Sequence, residues 1–203
     1  MLLRNYDNIM LARMCPNNTS EAPGTTNDVF GDGKINVKYL DGKIYTLQGS
    51  YNYWCYNPFN NFSEMSVNDY SSSGSSNLIC GSGFTPEHYD DYKLESGFTS
   101  NQVKRVSGVH KLETPIYDET TDTWTFTYTR NFLANEDITV REIGVLSSVY
   151  KSGGSNACLV YRKVLETPLE VKAGNQFTLT FTATLSANPN KPADYDANAV
   201  AVE

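Results

Sequence analysis

Histidine is nearly absent from this chain. Its 203 residues include only His88 and His110, so the commonest general base and metal ligand is scarce. Cysteine is thin and scattered, at positions 15, 55, 80 and 158. No C-x-x-C pairs them as a structural zinc site requires. They read as four reduced and mostly buried thiols. No apolar run approaches the ~18 residues of a membrane span. There is no cluster of Lys and Arg either, and the net charge is −7, which disfavours nucleic acid as a partner. The first seven residues lack a basic stretch followed by an apolar one, so no signal peptide is read. Leu, Ala, Glu, Lys and Arg are too few for a helix-rich domain.

Asn, Ser and Thr fill the gap, at roughly 28% of the chain. Thr, Tyr, Val and Phe favour strands. Thr123-Trp124-Thr125-Phe126-Thr127-Tyr128-Thr129 alternates strictly, with the aromatic rings on one face and Thr on the other. Phe177 to Leu185 alternates in the same way. These two apolar faces are expected to share a core, and their Thr faces to be exposed or buried in an oligomer. Further strands are read at 103–112 through a bulge at Gly108, at 138–146, at 158–165 and at 167–171. Asp41-Gly42, between Ile35–Tyr39 and Ile44–Leu47, predicts a type I′ hairpin.

No 3.6-residue periodicity competes with this pattern. The fold expected is all-β, an antiparallel β-sandwich of immunoglobulin-like or jelly-roll-like kind, with extended N- and C-terminal arms. The organisation read is an arm over 1–28, a sandwich over 29–185, and a loose tail over 186–203. Within the sandwich, 51–79 is an insertion made of an aromatic stretch and a Ser-rich loop.

Chemistry-bearing residues are sparse. Ser82, His88, Asp90 and Asp91 lie close in sequence, but no strand–G-x-S-x-G–helix frames a nucleophile. Gly81-Ser82-Gly83 lacks the Gly-Lys-Ser/Thr of a phosphate loop and reads as a bend. Asp28, Asp32, Asp41, Asp90 and Asp91 lack the alternate spacing of a calcium loop. Arg141 and Glu142 read as an ion pair on an apolar strand. No catalytic, cofactor-binding or metal-binding residue is assigned. The candidate interface is Tyr51, Tyr53, Trp54, Tyr56 and Phe59, with Ile9, Met10 and Leu11 of the arm. The first four are also the candidates for stacking on a glycan.

Several stretches resemble a pattern in the structural proteins of tailed bacteriophages. They are Ile138–Val145 with Glu142-Ile143-Gly144, the run Leu159–Gly174 with Arg162, Val164, Leu165 and Pro168, and the Thr-rich Phe177–Thr182. Gly81-Ser82-Gly83-Phe84-Thr85-Pro86 with Asp90–Leu94 belongs to the same pattern, and Asn5–Ile9 and Phe30–Val37 fit more loosely. The resemblance implies a non-enzymatic β-sandwich subunit of the virion, assembled in the host cytoplasm and present in many copies. Its partners would be itself, as a homo-oligomer, and other virion proteins. A neck or tail ring component is the expected station. Capsid decoration, or a carbohydrate-binding or adhesin module of a fibre, are the alternatives.

Overall fold

The structure, a computed structural model, describes residues 1–8, 36–46, 78–112, 114–151, 154–186, 190 and 193–202. Among the described residues ten strands follow one another: β1 (Asn36–Lys38), β2 (Ile44–Thr46), β3 (Leu78–Gly81), β4 (Val103–Leu112), β5 (Ile116–Asp118), β6 (Thr123–Ala134), β7 (Ile138–Lys151), β8 (Gly154–Val171), β9 (Gln176–Ser186) and β10 (Asp194–Ala201). The larger sheet runs β10-β9-β6-β4, with β5 also paired to β6. A second sheet runs β3-β7-β8, and β1 and β2 form a ribbon. Every pairing is antiparallel, as the alternation predicts.

The two larger sheets share one core. Phe177, Leu179, Phe181 and Ala183 of β9 and Tyr128 and Phe132 of β6 meet Cys80 of β3, Ile143 and Val145 of β7, and Tyr161 of β8. Phe132 stacks on Phe177 at 5.5 Å, and Tyr161 meets the edge of Phe181 at 5.1 Å. Burial also fixes the chemistry of the Cys80 thiol. Desolvation, and then the nearby Glu142 charge, push its pKa up to about 12, so it stays protonated. Cys158 is likewise buried.

The Thr residues of β6 and β9 take the other face in register. Thr125 opposes Thr184, Thr127 opposes Thr182, and Thr129 opposes Thr180. All six are half-buried. Trp124 departs from the expected core position. It shares the inner face of β6 with Tyr128 but remains 40% exposed at the sheet's end.

Three details differ from the sequence reading. The hairpin between β1 and β2 has positive φ only at Gly42, +83°, whereas type I′ needs two such residues. Asp41 instead accepts the Lys43 N–H at 2.9 Å, which tightens the loop from inside. The segment 158–171 is one bent strand, with a register shift between Val140 and Glu142 of β7 where β8 passes Pro168. The tail read over 186–203 is corrected over Asp194–Ala201, which pairs with β9 through eight residues. Tyr195, Ala197 and Ala199 point at the core there, and the two small alanines give only a weak alternation signal. The first eight residues of the expected arm, read to dock on the domain or to reach a partner, dock on the sandwich. Leu2 bridges Tyr161, Leu3 is fully buried, and residues 4–8 form one helical turn.

Candidate functional site: a buried ionic clamp

The outer face of β3-β7-β8 is covered by chain. Leu3 and Leu94 pack there on Leu146 and Leu159, forming a second, smaller apolar cluster. Beside it lie two charged groups with almost no solvent contact, Glu142 at 0% and Arg162 at 2%. Strand geometry brings them together. Glu142 and Gly144 are two apart on β7 and share a face, and Gly144 is the cross-strand partner of Arg162 on β8. Glu142 and Arg162 are therefore diagonal neighbours. Arg162 Nε donates to Glu142 Oε2 at 2.8 Å. This corrects the pairing of Glu142 with Arg141. Among the described residues the carboxylate's ion-pair partner is Arg162, and Arg141 makes no ion pair with it.

The Glu142 carboxylate is a hub for the segment 81–97. Its Oε1 accepts the Ser96 N–H at 2.8 Å and the Gly83 N–H at 3.2 Å. Its Oε2 also accepts the Glu95 N–H at 3.1 Å. Arg162 holds the same segment from the other side. It donates to Asp91 Oδ2 at 2.8 Å and to the Thr85 carbonyl at 3.1 Å. The Asp91 and Glu142 hydrogen bonds raise the guanidinium pKa despite its burial, so it remains charged. Glu95 closes the tip, accepting the N–H groups of Phe84 at 2.7 Å and Thr85 at 2.8 Å. Glu87 ties the segment to the sheet by accepting the Val164 N–H at 2.6 Å.

Glycine is required at three points of this clamp. A Cβ on Gly81 would stand 2.3 Å from the Ser96 carbonyl oxygen. On Gly83 it would lie 2.5 Å from the Glu142 carboxylate, and on Gly144 2.6 Å from Leu159. The Ser96 oxygen belongs to backbone that is itself bonded to Ser82 N, so it cannot yield cheaply. Gly81→Ala is expected to cost about 1–3 kcal/mol, as overpacking does. A urea midpoint unchanged from wild type would contradict this contact.

The N-terminal segment braces the clamp from outside. The Arg4 guanidinium pairs with Asp90 and lies 4.6 Å over the Tyr89 ring. Tyr89 Oη donates to Asp7 at 2.7 Å. Arg4 holds the Asp90 carboxyl below its ordinary range, and the Thr85 N–H does the same for Glu95. Lys172 does so for Asp137 at the β7 start. A depressed folded-state pKa contributes stability above the unfolded value, which is lost as pH falls through the folded one. The urea midpoint is therefore expected to hold from pH 7 to about 5 and to fall below about pH 4. A midpoint that rises on acidification would contradict these pairings.

The expected chemistry-bearing residues are dispersed. Ser82 hydrogen-bonds the Ser96 hydroxyl at 3.1 Å, while His88 is exposed and accepts the Asp90 N–H at 3.3 Å. Asp90 and Asp91 serve Arg4 and Arg162, and Asp41 serves its own turn. Asp28 and Asp32 lie outside the described residues. So do all eight candidate interface residues, Tyr51, Tyr53, Trp54, Tyr56, Phe59, Ile9, Met10 and Leu11. Among the described residues, no helix is long and apolar enough to cross a membrane.

The clamp itself was missed as a unit, although nearly all its parts stand out in the sequence. The signal available was charge inside two apolar strands, Glu142 beside Arg141 in 138–146 and Arg162 beside Lys163 in 158–165. The arrangement can fix a loop. The carboxylate is saturated by three N–H groups and a guanidinium. No protein-family model matches the chain, and no curated protein or solved structure is significantly similar to it.

Proposed function

We propose that this chain is a structural, non-enzymatic subunit of a tailed-phage particle, a neck or tail ring component that assembles through subunit interfaces. One observation carries the reading beyond the sequence pattern. Three of the stretches that resemble virion proteins, 81–94, 138–145 and the start of 159–174, meet at a single place. Gly81, Gly83, Thr85, Asp91, Leu94, Glu142, Gly144, Leu159 and Arg162 all contribute to the clamp or to the apolar cluster beside it. Residues scattered over 80 positions of sequence thus share one task, holding a surface segment rigid on a sandwich. A rigid surface suits a subunit that must repeat the same contact around a symmetric assembly, because little ordering entropy is lost at each interface. The half-buried Thr face of β6 and β9 adds a hydrogen-bonding surface almost without charge.

Proteomics of purified particles, with mass photometry of the isolated chain, tests the reading. The expected result is a fixed copy number per particle and a discrete ring-sized oligomer or particle-bound species. A chain that stays monomeric and never co-purifies with particles overturns it. Location on the capsid shell would move the assignment to decoration.

A further inference from the structure

The turn between β5 and β6 gathers side chains that the clamp does not use. Tyr117 and Trp124 are cross-strand partners, so their rings share a face. The ring centroids lie 5.0 Å apart with planes tilted by 36°. Tyr117 is 43% exposed and Trp124 40%. Two residues on, the same face of β6 is half-buried at Phe126, and four residues on it is closed at Tyr128. The aromatic pair is thus an end of the inner face that the core leaves open.

Polar groups surround it in fixed positions. Tyr117 Oη donates to Asp122 Oδ1 at 2.9 Å. Asp118 accepts the Thr120 N–H at 2.8 Å and the Thr121 hydroxyl at 2.9 Å. The Thr121 and Thr123 hydroxyls are 2.7 Å apart, and Ser186 Oγ donates to the Asp122 carbonyl at 3.1 Å. Each carboxylate oxygen has two acceptor sites, so Asp118 and Asp122 keep acceptor capacity toward solvent. Glu119 adds a third carboxylate, and residues 114–129 contain no Lys or Arg.

Size and charge select the occupant. Two ring faces are far less than the ~800 Å² per partner of a stable protein interface. They suit a flat ligand with one apolar face and a rim of hydroxyls. A pyranose has that form. Its C–H hydrogens carry slight positive charge and pack on the negative face of an aromatic ring. Its hydroxyls project outward, within reach of carboxylates that accept them. The three acidic residues repel a sugar acid and attract an ammonium group.

We propose that Tyr117, Trp124 and the 118–122 turn bind a pyranose sugar that is uncharged or amino-bearing. This site does not depend on the particle role proposed above, and a failure of either leaves the other standing. The test titrates the full chain with glucose, galactose, glucosamine and glucuronate, read by calorimetry and tryptophan fluorescence. Trp54→Phe makes Trp124 the only indole, since the chain has two tryptophans. Saturable quenching is expected in that variant, with glucosamine several-fold tighter than the neutral sugars and glucuronate inert. Tyr117→Ala and Trp124→Ala should abolish the heat of binding. Asp118→Asn with Asp122→Asn should remove the glucosamine advantage while leaving the neutral sugars bound. Should Trp124→Ala fail to fold, Tyr117→Ala and the Asp pair decide the matter. Flat titrations with all four sugars into the tens of millimolar overturn the proposal. So does binding that survives Tyr117→Ala, or glucuronate that binds as well as glucosamine.

Discussion

Glu142→Leu is expected to be among the most damaging single substitutions in this protein, at about 3–5 kcal/mol. It strips the acceptor from three backbone N–H groups, those of Gly83, Glu95 and Ser96, and removes the fully buried countercharge of Arg162. Arg162→Met is expected to cost less, near the lower end of that range, because Glu142 keeps its three N–H donors and Asp91 can turn to water. The double variant separates this clamp from an ordinary buried ion pair. An isolated pair replaced by apolar residues of similar volume is often neutral. Here the three N–H groups remain orphaned, so Glu142→Leu/Arg162→Met should stay destabilised by about 1–3 kcal/mol or more. Urea denaturation of the four species in a double-mutant cycle checks both statements. A double variant as stable as wild type would reduce the clamp to a simple ion pair.

Phe181→Ala is the second large effect, expected at about 3–5 kcal/mol. Phe181 is buried on the inner face of β9, with Tyr161 of β8 against it edge-on and Tyr195 of β10 stacked at 6.4 Å. It therefore joins the two sheets and the C-terminal strand at one point. Deleting its ring opens a cavity bordered by two further aromatic rings that cannot both close in. Trp124→Ala, a larger truncation on the neighbouring strand, should cost much less because that ring is already part-exposed. Comparable losses at the two positions would contradict the placement of the core.

The fold was legible because two strands are nearly pure in their alternation. Trp124–Tyr128 and Phe177–Leu185 each place rings or aliphatic groups on one face and Thr on the other, and the observed register pairs these strands directly. β10 was not legible, because Ala197 and Ala199 bury too little surface to mark a face. The hairpin at Asp41-Gly42 was located correctly, but its turn type depends on a single backbone torsion that the dipeptide does not dictate. The clamp was legible only in fragments. Sequence proximity suggested Arg141 for Glu142, whereas β-sheet geometry selects Arg162, 20 residues away. Gly81 and Gly83 could be read as a bend, but not as the close approach of backbone to a buried carboxylate.

Native-state hydrogen exchange of the amides of Gly83, Glu95 and Ser96 tests the central claim most directly. If Glu142 locks the 81–97 segment to the sheet, these three amides exchange as slowly as those of β7, and all three are released together in Glu142→Leu. Exchange at the rate of an ordinary exposed turn in the wild-type protein would contradict the clamp.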